Sequence, residues 1–165
     1  MKIFEGTLDG KDCSLGIVVS KFNEIVTNRL LSGAEATLKQ LGTASEQIQL
    51  VRVPGAFEIP IAAKALAQSH EVDAIICLGA VIRGETPHFD YICEATSRGI
   101  GNVALETGIP VIFGVLTTNT VEQAMERSGS SERNKGADAA RTAIEMVSLM
   151  KQFHKATFRQ SGFLR

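Results

Sequence analysis

The run Arg83-Gly84-Glu85-Thr86-Pro87-His88 sets one of the chain's three histidines in a polar, turn-rich segment. It follows Ala74-Ile75-Ile76-Cys77-Leu78, which is apolar at every position. The stretch Gly79 to Tyr91 therefore reads as a loop at the carboxyl end of a buried strand, where open α/β sheets bind their ligands. An imidazole there suits proton transfer to and from amines, carbonyls and leaving groups. The alternative for a lone histidine is a surface or capping role. No Gly-x-Ser-x-Gly motif accompanies His88, so acyl transfer is not indicated.

Other segments place further chemistry after strand-like runs. Phe22 and Phe57 each follow one, as core phenylalanines or as platforms for a flat, ring-shaped ligand. Glu58 adds a carboxylate. Gly84 and Thr86 can offer backbone N–H groups to a small anion. Arg127 at a helix end and Lys135 near a helix start can bring positive charge to a phosphate, and singly each also reads as a solvated surface charge. No Gly-x-Gly-x-x-Gly follows the first strand and no P-loop motif occurs, which argues against dinucleotide and P-loop nucleotide binding. Histidines, cysteines and carboxylates do not cluster at ligand spacing, so no metal is expected. His70 and His154 sit in charged helical contexts and read as solvent-exposed. The odd, widely spaced Cys13, Cys77 and Cys93 argue against a disulfide framework and a zinc site, and Cys77 reads as a small core residue.

The elements that must position these groups alternate. Leu15 to Ser20 and Ala74 to Leu78 read as buried parallel strands. Ile48 to Val53 is a strand with one more exposed face, and Pro110 to Thr117 is the fourth. Helices are expected over about Val26 to Leu41 with Gly42 as stop, and from Pro60 to about Ser69. Others run from about Asp90 to Glu106, Thr120 to Arg127, and Lys135 to Lys155. Thr120-Val121-Glu122-Gln123 has capping-box spacing. Gly99 and Gly101 each cost a helix about 1 kcal/mol against alanine, which close packing would offset. Four β–α alternations predict a single α/β domain over residues 1–165, a flavodoxin-like three-layer fold with a four-stranded parallel sheet and helices on both faces. Residues 1–13 read as an N-terminal arm and 156–165 as a mobile tail.

A net charge of −1 with 5% aromatic residues gives no basis for a nucleic-acid or anionic-membrane partner. The N-terminus lacks a signal peptide's apolar run, and no apolar stretch approaches the roughly 20 residues that span a bilayer, so a cytoplasmic location is expected.

Taken together, Val53 to Pro60, Gly79 to Tyr91, Phe113-Gly114-Val115-Leu116-Thr117, Glu122-Gln123-Ala124 with Glu126-Arg127, and Asn134-Lys135-Gly136 resemble the lumazine synthases of riboflavin biosynthesis. The likeness extends from about Phe4 to Met150, and Arg83 through Tyr91 is its most specific block. It implies a transferase condensing 5-amino-6-(ribitylamino)uracil with 3,4-dihydroxy-2-butanone 4-phosphate, without metal or organic cofactor. By the same likeness, Phe22 stacks on the pyrimidine, and Ala56, Phe57 and Glu58 hold the ribityl chain and ring. Ala80, Val81 and Ile82 read the uracil through backbone. Glu85 and Thr86 match the butanone-phosphate loop, by backbone N–H groups, and His88 is the proton-transfer residue. Phe113 and Arg127 come from a neighbouring subunit, to the uracil and the phosphate respectively. A pentamer at least follows, with decamers and sixty-subunit shells as further assemblies and riboflavin synthase as a candidate partner. Ile3 to Leu8 would add as a strand to the neighbour's sheet. The loop 129–134 lacks the glycine and lysine pattern common in shell-forming members. A non-catalytic flavin- or lumazine-binding protein, or a shell protein, on the same scaffold is the alternative reading.

Overall fold

The computed structural model describes residues 1–130 and 132–161, with side chains as far as residue 154. Strands β1 (Leu15–Ser20), β2 (Ile48–Val53), β3 (Ala74–Ile82) and β4 (Val111–Thr118) form an all-parallel sheet in the order β2-β1-β3-β4. Successive strand residues face opposite sides of a sheet. Leu15, Ile17 and Val19 of β1 accordingly join one apolar cluster with helices α1 (Glu24–Gln40) and α5 (Lys135–Ser161). Val18 faces the other way, into a cluster with α2 (Ile59–Gln68) and α3 (His88–Thr107). Because β1 and β3 are covered on both faces, their sequences are apolar without alternation. The flavodoxin-like expectation stands, and β1 and β3 are adjacent strands whose following helices lie on opposite faces. That divergence opens a crevice at their carboxyl ends.

Several boundaries differ from the sequence reading. β3 continues through Gly79, Ala80, Val81 and Ile82, residues expected to be loop, because β4 runs alongside and pairs Val115 to Thr118 with them. A side chain at 79 would not fit easily there, since a Cβ would lie 3.0 Å from Ile59 Cδ1. α3 begins at His88 rather than Asp90, so His88 stands in the helix's first turn. α1 begins two residues before Val26, with Asn23 in the left-handed region (φ 59°) at its start, a conformation asparagine tolerates. α5 passes Lys155 to reach Ser161, while residues 162–165 of the expected tail lie outside the described residues.

The helix signals fare well. Gly42 follows α1 with φ 96°, and Pro60 occupies the first turn of α2. Thr120 caps α4 (Val121–Arg127) by accepting from Gln123 N, while the Gln123 side chain reaches Asn119 N instead of closing the box on Thr120. Close packing explains only one of the two helical glycines. A Cβ at Gly99 would lie 2.7 Å from Pro60 Cγ, whereas nothing is within 4 Å of one at Gly101. Of the residues expected to face inward from α5, Ala140, Ala143, Ile144 and Val147 are buried and Met150 is half-buried.

The first ten residues have no regular structure, and Phe4 to Thr7 lie against α5. Thr7 N donates to Ser148 Oγ, Gln152 donates to the Glu5 carbonyl, and the Phe4 and Phe153 rings are 5.0 Å apart. Among the described residues no helix is long and apolar enough to cross a membrane.

Candidate active site

The crevice at the ends of β1, β2 and β3 holds a cavity of about 580 Å³. Phe22, Ala56, Phe57, Glu58, Ala80, Val81, Ile82, Thr86 and His88 all line it. Phe22 and Phe57 are 70% and 58% exposed, which decides against a core role for either ring. Glu85, also a candidate, is exposed and does not line the cavity.

Local chain geometry sets each group. After β2, Gly55 leads into a single 3₁₀ turn, Ala56–Glu58. The Glu58 carboxylate folds back to accept from Gly55 N at 2.9 Å, which occupies Oε2 and leaves Oε1 without a partner in the described residues. Along β3, Ile75 N bonds the Pro110 carbonyl and Arg83 N the Thr118 carbonyl, so the odd-numbered residues direct their peptide groups toward β4. Backbone groups alternate in direction along a parallel strand, so those of Ala80 and Ile82 point to the β1 side, where the β1 ladder has ended at Val19 and Leu78. Here Asn23 Nδ2 donates to the Ala80 carbonyl at 2.8 Å.

His88 is placed by the ties on either side of it. Arg83 makes a bidentate pair with Asp90 (3.0 and 3.2 Å), donates through Nε to Asn119 Oδ1 at 3.1 Å, and lies 4.1 Å over the Phe89 ring. The strand end, the first turn of α3 and the end of β4 are thereby joined, and Gly84 to Pro87 must close between them. Asn23, Phe89 and Ile92 line the cavity and were not among the candidates. The position of Asn23, just after Phe22 and before a helix, was the available signal for it. Phe89 and Ile92 fall on one face of α3, a face hidden by starting the helix at Asp90.

The remaining candidates lie elsewhere. Phe113, Arg127 and Lys135 line a second cavity of about 600 Å³ along β4 and α5, and it shares no lining residue with the first. Lys135 Nζ pairs with Asp138 at 2.8 Å, and Asp138 also holds Arg141 at 3.2 Å. The Arg127 side chain makes no ion pair or hydrogen bond among the described residues. One cavity thus offers apolar walls, backbone groups and an imidazole, and the other an exposed ring and free positive charge.

The cysteines stand apart from both. Cys77 is fully buried in β3, and burial pushes its thiol up to about 12. Cys13 and Cys93 are raised as well, in each case first by burial.

A family model described as 6,7-dimethyl-8-ribityllumazine synthase matches residues 12–151. A relative from Desulfatibacillum aliphaticivorans, named 6,7-dimethyl-8-ribityllumazine synthase, is 54% identical over 152 residues, covering 92% of this chain and 98% of that protein. The matched residues include every residue that lines either cavity, and matches of that extent place the chain in the 6,7-dimethyl-8-ribityllumazine synthase family.

Proposed function

We propose that the chain condenses 5-amino-6-(D-ribitylamino)uracil with 3,4-dihydroxy-2-butanone 4-phosphate to give 6,7-dimethyl-8-ribityllumazine, the penultimate step of riboflavin biosynthesis. The amine attacks the ketone to give an imine, phosphate leaves, and ring closure with loss of water completes the lumazine. Beyond the family match, one observation carries this reading. Residues spread from Phe22 to His88, on three separate post-strand segments, line a single cavity.

In that cavity Phe22 stacks on the pyrimidine, and the backbone of Ala80 to Ile82 reads its polar edge. Ala56, Phe57 and Glu58 hold the ribityl chain, the free Glu58 oxygen accepting a hydroxyl. Backbone N–H groups at Glu85 and Thr86 take the phosphate arm, since the Glu85 carboxylate would repel it. His88 moves protons between the two reactants. Catalysis here rests largely on holding amine and ketone in reacting geometry.

Phe113, Arg127 and Lys135 complete the site from the neighbouring subunit, Phe113 against the uracil and the two cations toward the phosphate. Their separation from His88 within one chain supports this arrangement, because an isolated subunit would present two half-sites. The functional unit is then a homo-oligomer of the cytoplasm, a pentamer at least. Beyond the pentamer the alternatives are a decamer or a sixty-subunit shell, riboflavin synthase is the candidate partner, and residues 3–8 add as a strand to the neighbour's sheet. The purified protein, given both substrates, should raise lumazine absorbance and release phosphate together. Turnover no faster than the uncatalysed condensation would refute the reading.

A further inference from the structure

Asn134 is 3% exposed, and its side chain uses both ends. Oδ1 accepts from Gly136 N at 2.9 Å and Ala137 N at 3.2 Å, capping the start of α5. Nδ2 faces three carbonyls, those of Arg29 (3.0 Å), Ser128 (3.1 Å) and Gly129 (3.3 Å). The chain makes room for this amide. A Cβ at Gly33 would lie 2.4 Å from the Asn134 side chain, and one at Gly136 would strike the Leu30 carbonyl, so α1 and α5 meet almost at backbone distance.

One side chain therefore ties α1, the exit from α4 and the entry to α5. Arg127 is the last residue of α4, immediately before the Ser128 that Asn134 holds, and Lys135 is the first of α5. Ser128 is itself buried and fixed by its hydroxyl to the Ala124 carbonyl at 2.9 Å. From Asn134 we infer a positioning residue for the phosphate-binding cation: its amide fixes where α4 ends, and so where Arg127 stands in the second cavity. This rests on the reading of Arg127 as a phosphate ligand. The acceptor end would cap α5 in any fold of this kind, whereas the donor end ties the segment that follows Arg127 to α1.

Asn134→Asp and Asn134→Ser keep an oxygen for the cap and remove the amide donor. In the assembled protein each should raise KM for the butanone phosphate, and Ki for inorganic phosphate as competitor, by roughly tenfold. KM for the aminouracil should stay near wild type. In an Arg127→Ala background the same changes should add nothing, since the group they position is gone. An equal rise in both backgrounds, or loss of the folded assembly in both variants, would overturn the inference, because Asn134 would then serve the fold at large. So would an unchanged KM in both variants where Arg127→Ala alone raises it. Should Arg127→Ala alone leave KM and Ki unchanged, the phosphate reading of Arg127 fails first.

Discussion

Asn23 donates its side-chain amide to the Ala80 carbonyl over 2.8 Å, tying the start of α1 to β3 two residues before that strand ends. The bond crosses the place where the β1–β3 ladder stops, and it occupies a carbonyl that would otherwise face the cavity. It fixes the edge assigned to the pyrimidine and leaves fewer acceptors there to compete with it.

Removing that amide should therefore show in one substrate only. Asn23→Gly retains the left-handed backbone that position 23 adopts, at no steric cost. A neutral hydrogen bond is worth about 1 kcal/mol, so KM for the aminouracil should rise roughly fivefold. KM for the butanone phosphate should not move. Equal changes in both, read from initial rates, would reduce the bond to local support of α1.

His88 stands in the first turn of α3, exposed to the cavity and framed by the Arg83–Asp90 pair. His88→Ala should lower kcat with little effect on either KM, and by less than the roughly 100-fold that general acid–base groups commonly supply. Amine and ketone condense slowly by themselves once they are held together. The pH dependence of kcat should flatten in the variant. A profile identical to wild type would remove His88 from proton transfer.

The paired helical glycines separate packing from propensity. At Gly99 an added methyl would press on Pro60 of α2, both elements being fixed by the core, and Gly99→Ala should destabilise the protein by about 2 kcal/mol. Gly101 has open space around it, and Gly101→Ala should stabilise α3 by about 1 kcal/mol. Urea denaturation of the two variants should move the midpoint in opposite directions. A shift of the same sign would mean that α3 is not seated on α2 as described.

Those glycines also show what the sequence could and could not reveal. Both looked alike because helix propensity is local, while the contact that distinguishes them joins residues far apart along the chain. The order of elements was legible for the opposite reason: Leu15 to Ser20 and Ala74 to Leu78 are apolar throughout, as strands covered on both faces must be. The end of β3 was not. Gly79 and Ala80 have little strand preference of their own, and their state is set by β4, which lies over thirty residues on. The true start of α3 was within reach, since Pro87 is well placed just ahead of a first helical turn. His88 and the post-strand phenylalanines could be picked out by position alone. That Phe113, Arg127 and Lys135 face a different cavity follows from β4 being an edge strand, and strand order is not written in any one segment.

Cys77 gives a test of core integrity through pH. Its thiol, unexposed in the central strand β3, is raised by burial from 9.0 to about 12. Below pH 9 the thiol is protonated in folded and unfolded chains alike, and it makes no difference to stability. Between pH 9 and 12 the unfolded chain has released that proton and the folded one retains it. The folded state then binds more protons, so stability falls as pH rises. At pH 10 the loss from this one group is about 1 kcal/mol. Cys77→Ala removes it while sharing every other titrating group with wild type. Urea unfolding under reducing conditions should therefore give two stability curves of similar slope from pH 7 to 8.5 that converge above pH 9, wild type losing about 1 kcal/mol more by pH 10. Curves that stayed parallel to pH 10 would mean that solvent reaches the Cys77 thiol, and that the layer between β3 and the helices α2 and α3 is looser than its packing implies.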